Sequence, residues 1–138
     1  MSNVPKSKRG ENKLTVIIKA KDLYAYFLEI TANEGVFEVN KKALTEDILH
    51  TAQNIYINCF IGNKTYVNSK ESYCRRWTFQ QNAIAGCEKL VALINLAYSI
   101  FKLRYKRIKY MVGITLDEKD LITKWRDSDK ERYKEFWQ

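Results

Sequence analysis

Proline is almost absent from this 138-residue chain: the single one, Pro5, lies in the first few residues, and there are only five glycines. From Lys13 onward nothing forbids long helices, and there is little of the punctuation that short strands and tight turns require. Histidine is rarer still, with His50 alone, so a zinc centre built on several imidazoles is excluded. The three cysteines, Cys59, Cys74 and Cys87, form no close pair and no even set, which argues against a disulfide framework. All three fall in apolar-periodic stretches and read as small buried hydrophobes in a reducing cytoplasm. No apolar segment follows the basic N-terminal residues, and no run reaches the roughly 18 apolar residues that span a bilayer. The expectation is a soluble, cytoplasmic protein that does not engage a membrane.

Negative charge is also scarce, and unevenly so. The formal net charge is +8, from 24 Lys and Arg against 16 Asp and Glu. From Asp117 to the end there are six basic and seven acidic residues, which leaves 18 basic and 9 acidic before it. A basic excess in the folded body suits a polyanionic partner, and equally suits a solvated surface that keeps the protein soluble.

What the chain does have is helical periodicity. Residues 1–12 read as a flexible basic arm carrying Lys6, Lys8 and Arg9. A first helix follows on Val16, Ala20, Leu23, Tyr24, Phe27 and Leu28, closed by Asn33, Glu34 and Gly35. Asn40 is placed to cap a second helix, whose stripe is Leu44, Ile48, Ala52, Ile55, Cys59 and Phe60. Gly62, Asn63 and Asn68 mark the next break, with Asn68 and Glu71 spaced as a capping box. The third helix repeats every seven residues, Trp77, Ile84, Val91 and Tyr98 in one row and Cys87, Ile94 and Phe101 in another. A fourth runs from about Arg104 through Ile108, Val112, Thr115, Ile122 and Trp125. The predicted fold is all-α, an antiparallel four-helix bundle over residues 13–127, with residues 128–138 a charged tail or an extension of the last helix. From Leu90 to Phe101 only Asn95 and Ser99 are polar. So closed an apolar ring exceeds what one small bundle buries, and predicts a homo-oligomer.

No chemistry emerges. His50 has no ligand partner at suitable spacing. The acidic pairs Glu46–Asp47, Asp117–Glu118 and Asp127/Asp129 stand near helix ends, where carboxylates offset the macrodipole. There is neither a phosphate-cradling glycine loop nor a nucleophile elbow. We therefore expect no catalytic residues, no metal site and no cofactor. The positive signal is the junction of the third and fourth helices, where Lys102, Arg104, Lys106, Arg107 and Lys109 alternate with Leu103, Tyr105 and Ile108. Arg75 and Arg76 sit beside Tyr73 and Trp77 at the other end of the third helix. Guanidinium forks bind phosphate and neighbouring aromatics stack on unpaired bases, so these seven residues are the candidate nucleic-acid contacts. The alternative is that they snorkel round an aromatic core.

The order of these features resembles a known family. An aromatic first helix (Leu23-Tyr24-Ala25-Tyr26-Phe27-Leu28) is followed by Phe37 ahead of the second helix. Arg76 stands four residues before Gln80-Gln81-Asn82-Ala83, and the chain closes on Leu121-Ile122-Thr123-Lys124-Trp125-Arg126-Asp127-Ser128. In this it is similar to the four-helix-bundle family that includes the accessory variability determinant (Avd) of diversity-generating retroelements and the intervening-sequence proteins of ribosomal-RNA genes. The resemblance implies a barrel-like homopentamer with a basic surface. In the retroelement branch it implies partnership with a reverse transcriptase and its template RNA during mutagenic cDNA synthesis. Arg75, Arg76, Lys102, Arg104, Lys106 and Arg107 would then contact RNA or the polymerase.

Overall fold

A computed structural model describes residues 6–37 and 42–138. Four long helices account for nearly all of them: α1 Lys6–Thr31, α2 Lys42–Lys64, α3 Lys70–Phe101 and α4 Tyr105–Arg132. A single 3-10 turn, Lys134–Phe136, follows, and there is no strand among the described residues. The helix begins at Lys6, within the segment expected to be a flexible arm. Asn40, expected to cap α2, lies outside the described residues.

A strict alternation of three- and four-residue steps decides which side chains go inside. Along α3 the buried residues are Tyr73, Arg76, Gln80, Ala83, Cys87, Leu90, Ile94, Ala97 and Phe101, with Ile84 beside them. Along α4 they are Ile108, Met111, Thr115, Glu118, Ile122, Trp125 and Asp129. This is the seven-residue repeat that keeps one seam facing a partner helix over many turns. The expected row of Cys87, Ile94 and Phe101 belongs to it. Of the other expected row only Ile84 is buried, for Tyr98 is 42% exposed and Trp77 and Val91 are only half buried. On α2, Ile48, Ala52, Ile55 and Cys59 are fully enclosed. Gly86 lets α3 approach α2 closely, since a Cβ there would stand 2.9 Å from Ile55 Cγ1.

Three of the polar seam residues are joined by hydrogen bonds centred on Asp129. Asp129 Oδ2 accepts from Arg76 Nε at 2.6 Å and from Gln80 Nε2 at 2.7 Å, while Oδ1 accepts from Arg76 Nη2 at 3.3 Å. Arg76 Nη1 also donates to the Thr65 carbonyl, and its guanidinium lies over the Trp125 ring. The node joins the α2–α3 connection, the start of α3 and the end of α4. Further along, Arg126 donates to Gln81 and Lys119 pairs with Glu88. Residue numbers thus rise along α3 as those of their partners fall along α4.

The ends are fixed locally. Ser69, not Asn68, caps α3: its hydroxyl accepts from Ser72 N–H at 3.1 Å, and Ser72 Oγ accepts from Ser69 N–H at 3.0 Å. The box is thus Ser69–Ser72, one residue beyond the expected Asn68–Glu71, with serine doing what a longer side chain does in the commoner version. After α1, Asn33 Oδ1 accepts from Gly35 N–H, and Phe37 turns inward to meet the Phe101 ring at 4.9 Å. The C-terminal residues extend α4 and then fold back, with the Trp137 indole donating to the Lys130 carbonyl at 2.7 Å.

Two expectations from composition need correction. Cys74 is exposed, because it lies one residue past Tyr73 on the outer side of the seam, whereas Cys59 and Cys87 are buried. Burial pushes the Cys87 thiol up to about 12 and raises that of Cys59 as well. Within α3 there is also an 18-residue stretch of mean hydropathy 1.5 that is long and apolar enough, by composition, to cross a bilayer. A third of it is buried in the bundle, and the central helix of a soluble bundle reaches the same composition. Its outer side leaves Leu96 50% and Ile100 38% exposed.

Candidate nucleic-acid interface

The connection between α3 and α4 is three residues long, and its geometry separates cations from core. Lys102 closes α3 in the left-handed region, at φ 54° and ψ 44°, the only non-glycine residue among those described to do so. Holding a lysine there costs on the order of 1 kcal/mol, a conformation usually given to glycine or asparagine. The reversal turns Leu103 inward, where it is 8% exposed, and leaves Lys102 and Arg104 outside. The Arg104 carbonyl then accepts from Arg107 N–H at 3.0 Å and Ile108 N–H at 3.1 Å, which starts α4.

α4 begins without a side-chain cap and without an acidic residue in its first turn. Its unpaired N–H groups and the positive end of its dipole therefore add to the charge of the side chains around them. Arg104, Lys106 and Lys109 are exposed and Arg107 is partly so. Among the described residues, no ion pair involves any of these four or Lys102. Tyr105 is 69% exposed and Tyr110 55% exposed, so two aromatic rings stand among the cations.

Two shallow cavities open on this end. One, of about 320 Å³, is walled by Tyr26, Arg104, Lys106, Arg107 and Tyr110. The other, of about 290 Å³, lies between the Gly35–Val36 turn and Lys102, Leu103, Arg104 and Arg107. Arg104 and Arg107 line both. Burial raises the phenol of Tyr26 above its ordinary value, and the adjacent Arg107 charge partly offsets this.

Five of the seven residues expected to contact nucleic acid are thus gathered at one end of the bundle. Arg75 is exposed but stands near the start of α3, 27 residues before Lys102. At about 1.5 Å per residue that is on the order of 40 Å away. It lines a separate, open groove with Lys70, Cys74 and Phe79. Arg76 is not on the surface at all: it is 4% exposed, with its guanidinium committed to Asp129 and Thr65. The pattern Arg75-Arg76 beside Tyr73 and Trp77 had suggested two surface cations. The seven-residue repeat instead puts Arg76 in line with Ala83 and Leu90, on the core side. Tyr26 and Tyr110 were not among the expected contacts. For Tyr110 the signal was present, since it lies three and four residues after Arg107 and Lys106, one turn on along the same helix surface.

His50 is exposed. Among the described residues, no group of three His, Cys, Asp or Glu side chains is arranged to hold a metal ion. No protein-family model, curated protein or solved structure matches this chain.

Proposed function

We propose that this chain is a non-enzymatic, cytoplasmic accessory factor that assembles as a homo-oligomer and binds RNA through the basic end of its bundle. On the resemblance described above, that RNA is the template of a diversity-generating retroelement and the protein partner is its reverse transcriptase. The factor would hold the two together during mutagenic cDNA synthesis, needing neither metal nor cofactor of its own. The observation that carries the reading is the cluster of Lys102, Arg104, Lys106, Arg107 and Lys109 around the uncapped start of α4, none of them in an ion pair among the described residues.

The chemistry favours single-stranded or irregular RNA. Guanidinium and ammonium groups neutralise phosphates without reading sequence, and Tyr105 and Tyr110 offer rings on which unpaired bases stack. The rising and falling partner numbers along α3 and α4 support an antiparallel bundle. The exposed Leu96, Tyr98 and Ile100 on α3 support burial of that face against sister subunits, five of them if the resemblance extends to assembly.

Fluorescence anisotropy with a labelled single-stranded RNA tests the RNA contact. Five phosphate contacts at about −0.7 each predict a log–log salt slope near about −3.5, which weakens binding about 100-fold between about 50 and 200 mM salt. Arg104→Glu with Arg107→Glu is expected to abolish measurable binding at moderate salt, whereas Arg75→Glu, far from the cluster, has a small effect. Unchanged affinity in the double variant would remove this assignment and favour a protein-interaction bundle whose charge serves solubility.

A further inference from the structure

Glu118 differs from the seam's Arg, Gln, Asp and Thr residues in making no hydrogen bond at all, although Gln80 Oε1 is also buried without a partner. Arg76, Gln80 and Asp129 bond to one another, and Thr115 donates to the Met111 carbonyl. Glu118 is 1% exposed, and neither of its carboxylate oxygens has a hydrogen-bond partner. A buried carboxyl with no hydrogen-bond partner costs free energy even when protonated, and a bound ligand that supplies the partner would offset that cost.

Glu118 also lines a cavity of about 290 Å³ between α1 and α4. Asp22 and Asp117 share its wall, against one cation, Lys19. Tyr26 and Tyr110 form its aromatic side, their rings 5.2 Å apart and edge to face. The same two tyrosines wall the shallow basic cavity beyond, so an acidic chamber and a basic surface adjoin across one aromatic pair.

We propose that the cavity between α1 and α4 binds a small aliphatic amine, with its ammonium paired to Glu118 and its methylenes against Leu23, Ile114 and Leu121. The inference goes beyond the RNA reading and does not rest on it. Three carboxyl groups to one lysine disfavour an anion. A hard metal ion needs six or more oxygen ligands, and no cluster of that kind exists among the described residues. An ammonium needs fewer: one buried acceptor, secondary acceptors at the mouth and an aromatic face supply its recognition. The volume is near the lower limit for small-molecule sites, which suits a short diamine better than a larger ligand.

Proton linkage follows from the same geometry. Burial is the main cause that pushes the Glu118 carboxyl up to about 9; Lys19 lowers it and Asp22 raises it. The groups facing it are Lys19, Asp22 and Tyr26 from α1, Cys59 from α2, Cys87 from α3, and Asp117 and Tyr110 from its own helix. Near neutral pH the empty site therefore holds a proton on Glu118. Pairing with an ammonium ionises the carboxyl, and that proton passes to the buffer.

Isothermal titration calorimetry of the full chain with putrescine, in two buffers of different ionisation enthalpy, tests this. Saturable binding with close to one proton released per putrescine is expected, and the neutral analogue butanediol should not bind. Glu118→Gln should weaken binding at least about tenfold and abolish the proton release, as loss of a charged partner in a buried site requires. Lys19→Met should tighten binding by removing a like charge. Methyl chemical shifts of Leu23, Ile114 and Leu121 in the unaltered protein give a readout independent of any variant, and are expected to move on putrescine addition. No saturable heat, equal binding to Glu118→Gln, displacement by magnesium at equal concentration, or shifts elsewhere than at these methyls would each overturn the proposal.

Discussion

Replacing Asp129 by alanine removes the acceptor on which the buried end of the bundle depends. Arg76 Nε and Nη2 lose bonds of 2.6 and 3.3 Å, and Gln80 loses one of 2.7 Å. The guanidinium then keeps only the Thr65 carbonyl at 3.3 Å, while remaining 4% exposed. Breaking a buried pair by deleting one partner costs about 3–5 kcal/mol, because the other charge stays desolvated. With an unfolding entropy of about 2.1 cal/mol/K per residue, a chain of this length should lose about 10–17 °C in melting temperature. Replacing the whole node, Arg76→Leu with Gln80→Leu and Asp129→Leu, should recover much of that loss, since no desolvated charge then remains inside it; the partly exposed Arg132, which lies 3.9 Å from Asp129, loses its partner in either variant. Circular dichroism at 222 nm, about the helical minimum, during thermal and urea unfolding measures both. A loss below about 1 kcal/mol for Asp129→Ala would mean that the pair behaves as a solvated surface bridge, and the reasoning fails.

The remaining predictions concern the seam and its outer face. Glu118 has its folded pKa raised to about 9 from 4.5, so its contribution is most favourable below about pH 4.5 and is lost as pH rises towards 9. Without amine present, Glu118→Gln should gain on the native protein across that window, by at most about 1.4 kcal/mol per pH unit, and urea titrations at several pH values would detect its absence. Gly86→Ala should destabilise by about 1–3 kcal/mol, because its Cβ meets Ile55 at 2.9 Å, whereas Gly113→Ala, with nothing within 4 Å, should stabilise by about 0.5–1 kcal/mol. Leu96→Glu places a charge on the exposed apolar stripe of α3 and is expected to lower the mass seen by sedimentation without reducing helix content; an unchanged mass would place the subunit contact elsewhere.

Four helices were legible in the sequence because proline and glycine are so scarce and the apolar period so regular. Their boundaries fell within a few residues for α3 and α4. What was not legible was the identity of the seam where it is polar. Arg76, Gln80, Glu118 and Asp129 occupy core positions of the repeat, and a reading by hydrophobicity passes over them and settles on Trp77, Val91 and Tyr98 instead. Arg76 then reads as a surface cation and Asp129 as a helix-end carboxylate, although they bind each other 53 residues apart. The fixed step of three and four residues, extended backwards from Leu90 through Ala83, would have placed Arg76 inside. The basic turn was easier, since five cations in eight residues have no room in a core. That Lys102 adopts the left-handed conformation, and that Leu103 alone turns inward, depends on tertiary packing that periodicity does not encode.

The central proposal is that this protein joins an RNA to a reverse transcriptase through the cluster at the start of α4. Purification of the tagged protein from its native host, with sequencing of bound RNA and mass spectrometry of bound protein, tests it most directly. An Arg104→Glu, Arg107→Glu variant serves as the control. The account predicts one dominant structured RNA and a reverse transcriptase with the unaltered protein, and loss of the RNA with the variant. Recovery of neither from a well-folded protein, or equal recovery with the variant, would contradict it.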